Sequence, residues 1–415
     1  MERRLKTNQT RTDIQPVIIG GDISSYPLAR EFHEAFGVTS ICVVPEPLKI
    51  IEYSSFIEHY RTRDLKAQDI LGALEDIASR DTHRHVILMA NSDAAVAVLE
   101  EVKGLLPANV ICPLPPHDVM ERVSNKISFA ELCREHGLGT PHSEVVHLAG
   151  DEPISPTNVP FPLIAKPAVS SAEYTSLYQR GFKKVYFIQG QAELDELWAN
   201  LRAEGFVGDF LVQKLIMGDD SYVDMITAYV DQRGEVTMFA SAQVLLEDHA
   251  PTLFGNPVGM ICRPMPELWE RVGGLLKDIG WRGFANFDMK RDPDTGEVLF
   301  MDFNPRIGCN SYYICAGGIN PMEVLVSDLV DHKGGISRIS RKAIYTRTPT
   351  SLLRSYLTDG TLTKEFDGLV RDGLVFNPMR YPGDGLKARL MGLLMTENFR
   401  RKFARYYPKV TDTAF

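Results

Sequence analysis

"FANFDMKRDPDTGEVLFMDFNPRIG", Phe284 to Gly308, is the stretch on which the fold turns. Its centre, Asp292 to Gly296 ("DPDTG"), is turn chemistry between two apolar runs, so the runs read as an antiparallel hairpin. With the turn centred on Thr295, Asp288 falls opposite Asp302 and Asn286 opposite Asn304. Residues two apart share a strand face. These polar side chains therefore line one face, and Phe287, Met289, Met301 and Phe303 line the other. Like charges ~5 Å apart across a ladder destabilise a sheet. A divalent cation turns that repulsion into attraction. Aspartate and amide oxygens suit Mg²⁺, which keeps waters and takes oxygens from phosphate. Arg306 continues the polar row, and a cation beside an arginine suits an anionic polyphosphate. A one-residue slip in pairing would scatter the whole group.

A phosphate site needs further positive charge. "FPLIAKPAV" places Lys166 at the end of an apolar strand, where it can point into a cleft. A helical stretch runs from about Asp118 through "MERVSNKISFAELCREHGLGTP", ends at Gly137 and Pro141, and carries Lys126. Before it, "PVIIGGDISSYPLAREFHEAFGVTSICVV" reads as strand, turn, helix and strand. "HVILMANSDAAVAVLEEV" repeats the pattern with Ser92 as an N-cap. Strand–helix alternation implies a parallel α/β sheet. "GGD" is not the GxGxxG fingerprint of a dinucleotide site. "DFLVQKLIMGDDSYVDMITAYVDQRGEVTMFASAQ" holds three strands, and "PELWERVGGLLKDIGW" is an amphipathic helix.

The 415 residues suggest two to four domains, with apolar content of 44% and charged content of 24% ordinary for a globular chain. A net charge of −9 gives no global basic signature, which argues against a nucleic-acid partner. No apolar run approaches the ~20 residues that span a bilayer, and "MERRLKTNQTRTDIQ" lacks the apolar centre of a signal peptide. The six cysteines form no CxxC pair and read as free thiols of a cytoplasmic protein. The ten histidines show no zinc-ligand spacing.

Taken in chain order, "SNKISFAELCREHGLGTP", "FPLIAKPA", "LVQKLIMGDD", "FANFDM" and "FMDFNPRIG" resemble the ATP-grasp superfamily, over roughly residues 120–335. The resemblance implies an α/β fold. Residues 1–117 would be a Rossmann-like pre-ATP-grasp domain, and 118–214 and 215–340 the two α+β lobes of the ATP-grasp fold. Residues 341–415 would be a C-terminal extension. "GGDISSYPLAREFHEAFGV", "LLEDHAPTLFGNP" and "NPRIGCNSYYICAGG" look most like the D-aspartate ligase group, bacterial carboxylate–amine ligases of peptidoglycan cross-bridge synthesis.

By that resemblance Lys126 and Lys166 hold ATP phosphates. Gln213 and the backbone of Lys214 and Ile216 receive adenine, and Asp219 or Asp220 sits near the ribose. Asp288, Asp302 and Asn304 bind two Mg²⁺ ions, with Mn²⁺ as an alternative. Arg306 and Lys166 are the catalytic cations, Arg306 on the acyl phosphate. The chain departs from the family in "AVSSAEYTSLYQRGFKKVYFI", which has a single glycine where many members have a glycine-rich loop; Ser170 and Ser171 could cradle phosphate instead. Arg263, before a helix, is a candidate for the amino-acid carboxylate; His249, Asn310, Tyr312 and Tyr313 join it by matching the subgroup pattern. The implied substrates are an amino-acid carboxylate and an amine, the latter possible on a peptidoglycan precursor. A ligase making a dipeptide or small amide, a non-catalytic nucleotide-binding module and a biotin-carrier carboxylase are the alternatives. Arg400, Arg401, Lys402 and Arg405, interleaved with Leu and Phe, read either as the outer face of a docked helix or as a contact with an anionic membrane.

Overall fold

The computed structural model describes residues 10–90, 92–169, 174 and 176–415. The first sheet is parallel: β1 (Ile14–Ile19), β2 (Ser40–Val44), β3 (Ile57–Arg61), β4 (His85–Met89) and β5 (Val110–Ile111), in the order β3-β2-β1-β4-β5. Alternate residues serve opposite faces. Val17, Val43 and Leu88 pack with Leu74 and Leu99, while Ile18, Cys42 and Ile87 pack with Leu28 and Phe32. A sheet covered on both faces by helices is the doubly wound arrangement expected from strand–helix alternation.

The second sheet is antiparallel, with β6 (Ser143–His147), β7 (Leu163–Pro167), β8 (Tyr186–Ile188) and β9 (Asp209–Lys214) in the order β6-β9-β7-β8. The third contains β10 (Val223–Val230), β11 (Val236–Asp248), β12 (Asn256–Cys262), β13 (Gly283–Arg291), β14 (Val298–Asn304), β15 (Ser337–Arg338), β16 (Ala343–Thr346) and β17 (Val375–Phe376). Its order is β14-β13-β10-β11-β12-β16-β17, with β15 pairing β11. β16 and β17 thus come from the region beyond residue 340 and close one side of the sheet. No helix among the described residues is long and apolar enough to cross a membrane.

The hairpin β13–β14 pairs Asp288 with Asp302 and Asn286 with Asn304, but by a route the turn alone does not supply. Arg291 pairs Val298, so the loop is centred between Asp294 and Thr295; Gly296 takes the left-handed φ of 73° that the turn needs. Continued regularly, that register would set Asp288 against Met301. A β-bulge between Asp288 and Met289 inserts one extra residue on β14, so Met289 pairs Phe300 and the carboxylates come level again. Met301 is consequently not in the core row with Phe287, Met289 and Phe303. It is half-buried, and Phe300 takes the core position opposite Met289. A second correction concerns the helical stretch after Asp118. It is two helices, His117–Ser124 and Lys126–Glu135, broken at Asn125, whose extended backbone and side chain cap the second by accepting from the Ile127 N–H at 2.8 Å. The break puts Lys126 in the first turn of a helix rather than in the middle of one.

The helix Ser25–Phe36 fastens the parallel sheet to the rest of the chain. Arg30, 3% exposed, donates to the carbonyls of Asn377 and Pro378 at 2.9 and 3.1 Å, pairs Glu34 at 2.8 Å and lies 4.2 Å from the ring centre of Tyr312. Glu31 accepts from Ser311 Oγ at 2.6 Å, and Asp384 accepts from Tyr26 and Ser55. Removing one member of a buried charge-assisted network strands the others. Arg30→Met is expected to cost about 3–5 kcal/mol in urea denaturation at unchanged m-value; a loss below about 1 kcal/mol would show that the clamp is incidental.

Candidate active site

Asp302 is the point of convergence. Lys126 Nζ lies 3.6 Å from its Oδ1 and Lys166 Nζ 3.7 Å from its Oδ2. Lys126 comes from the capped helix and Lys166 from β7, so both elements of the preceding lobe aim ammonium groups at the end of β14. Burial opposes the charged form of Asp302, yet Lys166, Lys126 and Lys184 together hold its pKa below the ordinary carboxylate value. Burial lowers Lys166, Asp302 opposes that fall, and Lys126 and Lys184 add to it. Asp288 behaves in the opposite way. Burial, with Asp302 beside it, pushes its carboxyl up to about 7, although Lys184, Arg306 and a 3.1 Å hydrogen bond from Asn304 Nδ2 favour the anion.

Arg306 reaches this site under an external constraint. Its Nε donates to Asp93 Oδ1 at 2.8 Å, and its Nη2 to Asn304 Oδ1 at 3.3 Å. Asp93 is the first residue of the helix Asp93–Val102 on the parallel sheet. Cys309 adjoins the arginine, but burial raises its thiol, so it offers no thiolate nucleophile at neutral pH.

Several groups escaped the sequence reading. Lys184 bears on Asp288, Asp302 and Asp93, and its Nζ donates to the Phe254 carbonyl at 3.1 Å. Burial, with Asp220 beside it, pushes Glu247 on β11 up to about 8. Lys290 is buried, its pKa lowered by burial, and it donates to the Gly218 carbonyl at 2.8 Å. Strand alternation could have found Lys290, two residues after Asp288. Nothing local distinguishes Lys184 from Lys183, or assigns Glu247 and Asp93 to this place.

Gln213, Lys214 and Ile216 form the crossing between the second and third sheets. Gln213 and Ile216 are buried, Lys214 has an exposed side chain, and its N–H donates to the His142 carbonyl at 2.8 Å. Just beyond, the Gly218 N–H donates to the Asp412 carbonyl at 2.8 Å. The Phe415 ring lies between Phe187 of β8 and Phe254 of the β11–β12 loop, with ring centres 5.2 and 4.8 Å away. Residues 407–415 therefore strap one lobe to the other.

The remaining candidates are distributed unevenly. Asp219 caps its own turn through Ser221 and accepts from Thr358. Asp220 accepts from the Glu247 N–H and contacts His249 Nε2 at 3.0 Å. His249 stacks on Tyr407 with ring centres 3.5 Å apart, inside the contact with the last helix. Asn310 is buried against the sulfurs of Met225 and Met260. Tyr312 donates to Glu34, and Tyr313 to Thr227 and the Ala240 carbonyl. Arg263 pairs Glu365 at 2.9 Å and lines a cleft of about 500 Å³ with Arg291 and Gln243. Gln243 shares a sheet face with Asp224 and Met289, the face opposite Asp288. The structure thus brings Lys126, Lys166, Asp288, Asp302, Asn304 and Arg306 together and leaves Arg263 behind the sheet. Ser170 and Ser171 lie outside the described residues.

The donor set fits a hard divalent cation. Two aspartates and an amide oxygen are available, and burial, with Asp302 beside it, keeps Asp288 protonated to about pH 7. Among the described residues no three His, Cys, Asp or Glu side chains form a cation cage, so the remaining ligands would come from water or phosphate.

No protein-family model matches the chain. It is 27% identical to the D-aspartate ligase of Enterococcus faecium, over 94% of this chain and 96% of that one. It is 20% identical to the arginine-specific large chain of carbamoyl phosphate synthase of Halalkalibacterium halodurans, over 72% of this chain but 29% of the relative. Among solved structures it is similar to N5-carboxyaminoimidazole synthetase from Staphylococcus aureus complexed with ADP, with a TM-score of 0.56, 13% identity and 82% of each chain covered. A biotin carboxylase complex from Campylobacter jejuni gives a TM-score of 0.55 at 17% identity, covering 76% of this chain and 70% of that one. Two largely antiparallel sheets beside a Rossmann-like parallel sheet, with lysines and carboxylates meeting between them, give the chain the ATP-grasp fold that these solved structures share. In sequence the chain is similar to D-aspartate ligase along nearly its whole length.

The raised Asp288 pKa sets a pH dependence. The folded carboxyl binds its proton more tightly than the unfolded one, with its ordinary value of 3.8, so this group reduces stability as pH rises from 3.8 through about 7. Asp288→Asn is expected to raise the thermal midpoint of the ligand-free protein above pH 7, the gain vanishing towards pH 4. An equal gain at all pH values would separate Asp288 from this electrostatic cause.

Proposed function

We propose that the chain is an ATP-dependent carboxylate–amine ligase that activates an amino acid such as D-aspartate and attaches it to the amine of a peptidoglycan precursor. The observation that carries this reading is the Asp288–Asp302 pair set between Lys126, Lys166, Lys184 and Arg306. The full-length likeness to D-aspartate ligase supports the choice of substrate.

In this reading the carboxylate accepts the terminal phosphoryl group of ATP, giving an acyl phosphate and ADP. The amine then attacks the acyl carbon, phosphate leaves, and an amide remains. Such chemistry needs positioning and charge neutralisation more than a covalent residue. Lys126, Lys166 and Lys184 would hold the phosphates. Gln213, Lys214 and Ile216 would receive the adenine, and Asp219 or Asp220 would lie towards the ribose. Asp288, Asp302 and Asn304 would hold Mg²⁺, as two ions, which when bound neutralises phosphate charge. Arg306, aimed by Asp93, would stabilise the charge that develops at the acyl phosphate. Use of ATP and the six free thiols fit a cytoplasmic site of action.

Phosphate release from ATP across a panel of D- and L-amino acids, with and without a peptidoglycan precursor, tests the proposal. Release that depends on one acidic amino acid and on the precursor amine is expected; indifference to both would sink it. Arg306→Ala, Asp302→Asn and Lys184→Met are each expected to lower turnover ~10²–10³-fold with the thermal midpoint of Arg306→Ala and Lys184→Met nearly kept. Normal turnover by Lys184→Met would remove that lysine from the site.

A further inference from the structure

The helix Leu386–Tyr406 has 21 residues and two unlike faces. Ala388, Gly392, Thr396, Phe399 and Phe403 are buried against the protein. Leu386, Leu390, Leu393 and Leu394 point the other way and are 80%, 52%, 39% and 52% exposed. The helix cannot roll to hide them. A Cβ at Gly392 would stand 2.0 Å from the Met379 carbonyl oxygen, so the backbone is seated there in direct contact and only glycine fits. Lys402, tied to Asp248, fixes the far end. Four leucines on one outward face are not the scattered single apolar residues of an ordinary surface.

Charge says what covers them. Between Leu386 and Tyr406 the sequence has six basic residues and one acidic residue, Glu397, which is bonded to Arg400 at 2.9 Å. Lys387 and Arg389 flank the leucines, and Arg401 and Arg405 continue the same exposed side. This cationic strip lies on a chain whose net charge is −9. Nucleic acid would leave the leucines without a role, whereas apolar side chains bordered by Lys and Arg fit an anionic bilayer, the leucines entering the acyl boundary and the cations meeting the headgroups.

We propose that the outer face of the helix Leu386–Tyr406 is a peripheral docking surface for an anionic membrane. The test is co-sedimentation of the full chain with vesicles of phosphatidylcholine, with and without phosphatidylglycerol. Binding is expected only with the anionic lipid and should weaken with salt. Leu390→Glu with Leu394→Glu should abolish it, and Arg401→Gln with Arg405→Gln should weaken it roughly 25-fold, about fivefold per charge. Both pairs should keep the thermal midpoint and nucleotide affinity of the parent chain, which separates this surface from the cleft. Equal binding to both vesicle types, binding retained by the leucine variant, or no binding would overturn the proposal. So would self-association in solution that the leucine variant dissolves, which would assign the face to a second copy of the chain.

Discussion

Opposed carboxylates on neighbouring strands repel, and the molecule resolves the repulsion unevenly. Asp302 stays charged because Lys126 and Lys166 stand within 4 Å and Lys184 adds its field. Asp288, buried beside Asp302 and without a lysine that close among the described residues, keeps its proton to about pH 7. The site is thus electrostatically incomplete on one side: one carboxylate is already ionised, and the second would ionise only beside added positive charge. A buried pair of this kind is maintained only if the surroundings over-determine it. Here β7, the helix Lys126–Glu135 and the β13–β14 hairpin each supply one charge to the same few ångströms.

The parallel sheet takes part in the same arrangement. Asp93 orients Arg306, and the helix Ser25–Phe36 grips the segments at Ser311 and Asn377–Pro378 through Glu31 and Arg30. Removing that sheet and its helices would leave Arg306 without its Asp93 partner and expose the buried ends of several hydrogen bonds. The strap of residues 407–415 acts on the other side. By stacking Phe415 between Phe187 and Phe254, it also fixes the carbonyl that Lys184 bonds. The segment that follows the last helix thus packs against the residue whose carbonyl Lys184 bonds.

Much of this was legible in the sequence. Period-two alternation found the polar face of the hairpin, and apolar flanks found the strand of Lys166. The break at Asn125 was also legible, since Ser124-Asn125 is capping chemistry, but a continuous apolar stripe masked it. What could not be read was long-range. Asp93 and Arg306 are 213 residues apart, and Lys184 is distinguished from Lys183 only by where the β8 strand carries it. Residues whose types promised recognition, His249 and Tyr312, instead stack on Tyr407 and bond Glu34, because aromatic rings with one polar atom also serve well at packed interfaces. Arg263 follows β12 onto the sheet face opposite Asp288, a placement that only the long-range topology decides.

The bulge at Met301 has a consequence for insertions and deletions. Facing positions on an antiparallel pair obey parity, so each residue added to or removed from the loop flips one strand relative to the other. The interval between Asp288 and Asp302 is therefore not free to drift. A loop one residue longer, centred on Thr295, would align the carboxylates without any bulge, and the present shorter loop needs one. Changes in loop length and loss of the bulge should consequently come in compensating pairs. Aligning such chains by minimising gaps will misplace the hairpin wherever one change has been exchanged for the other.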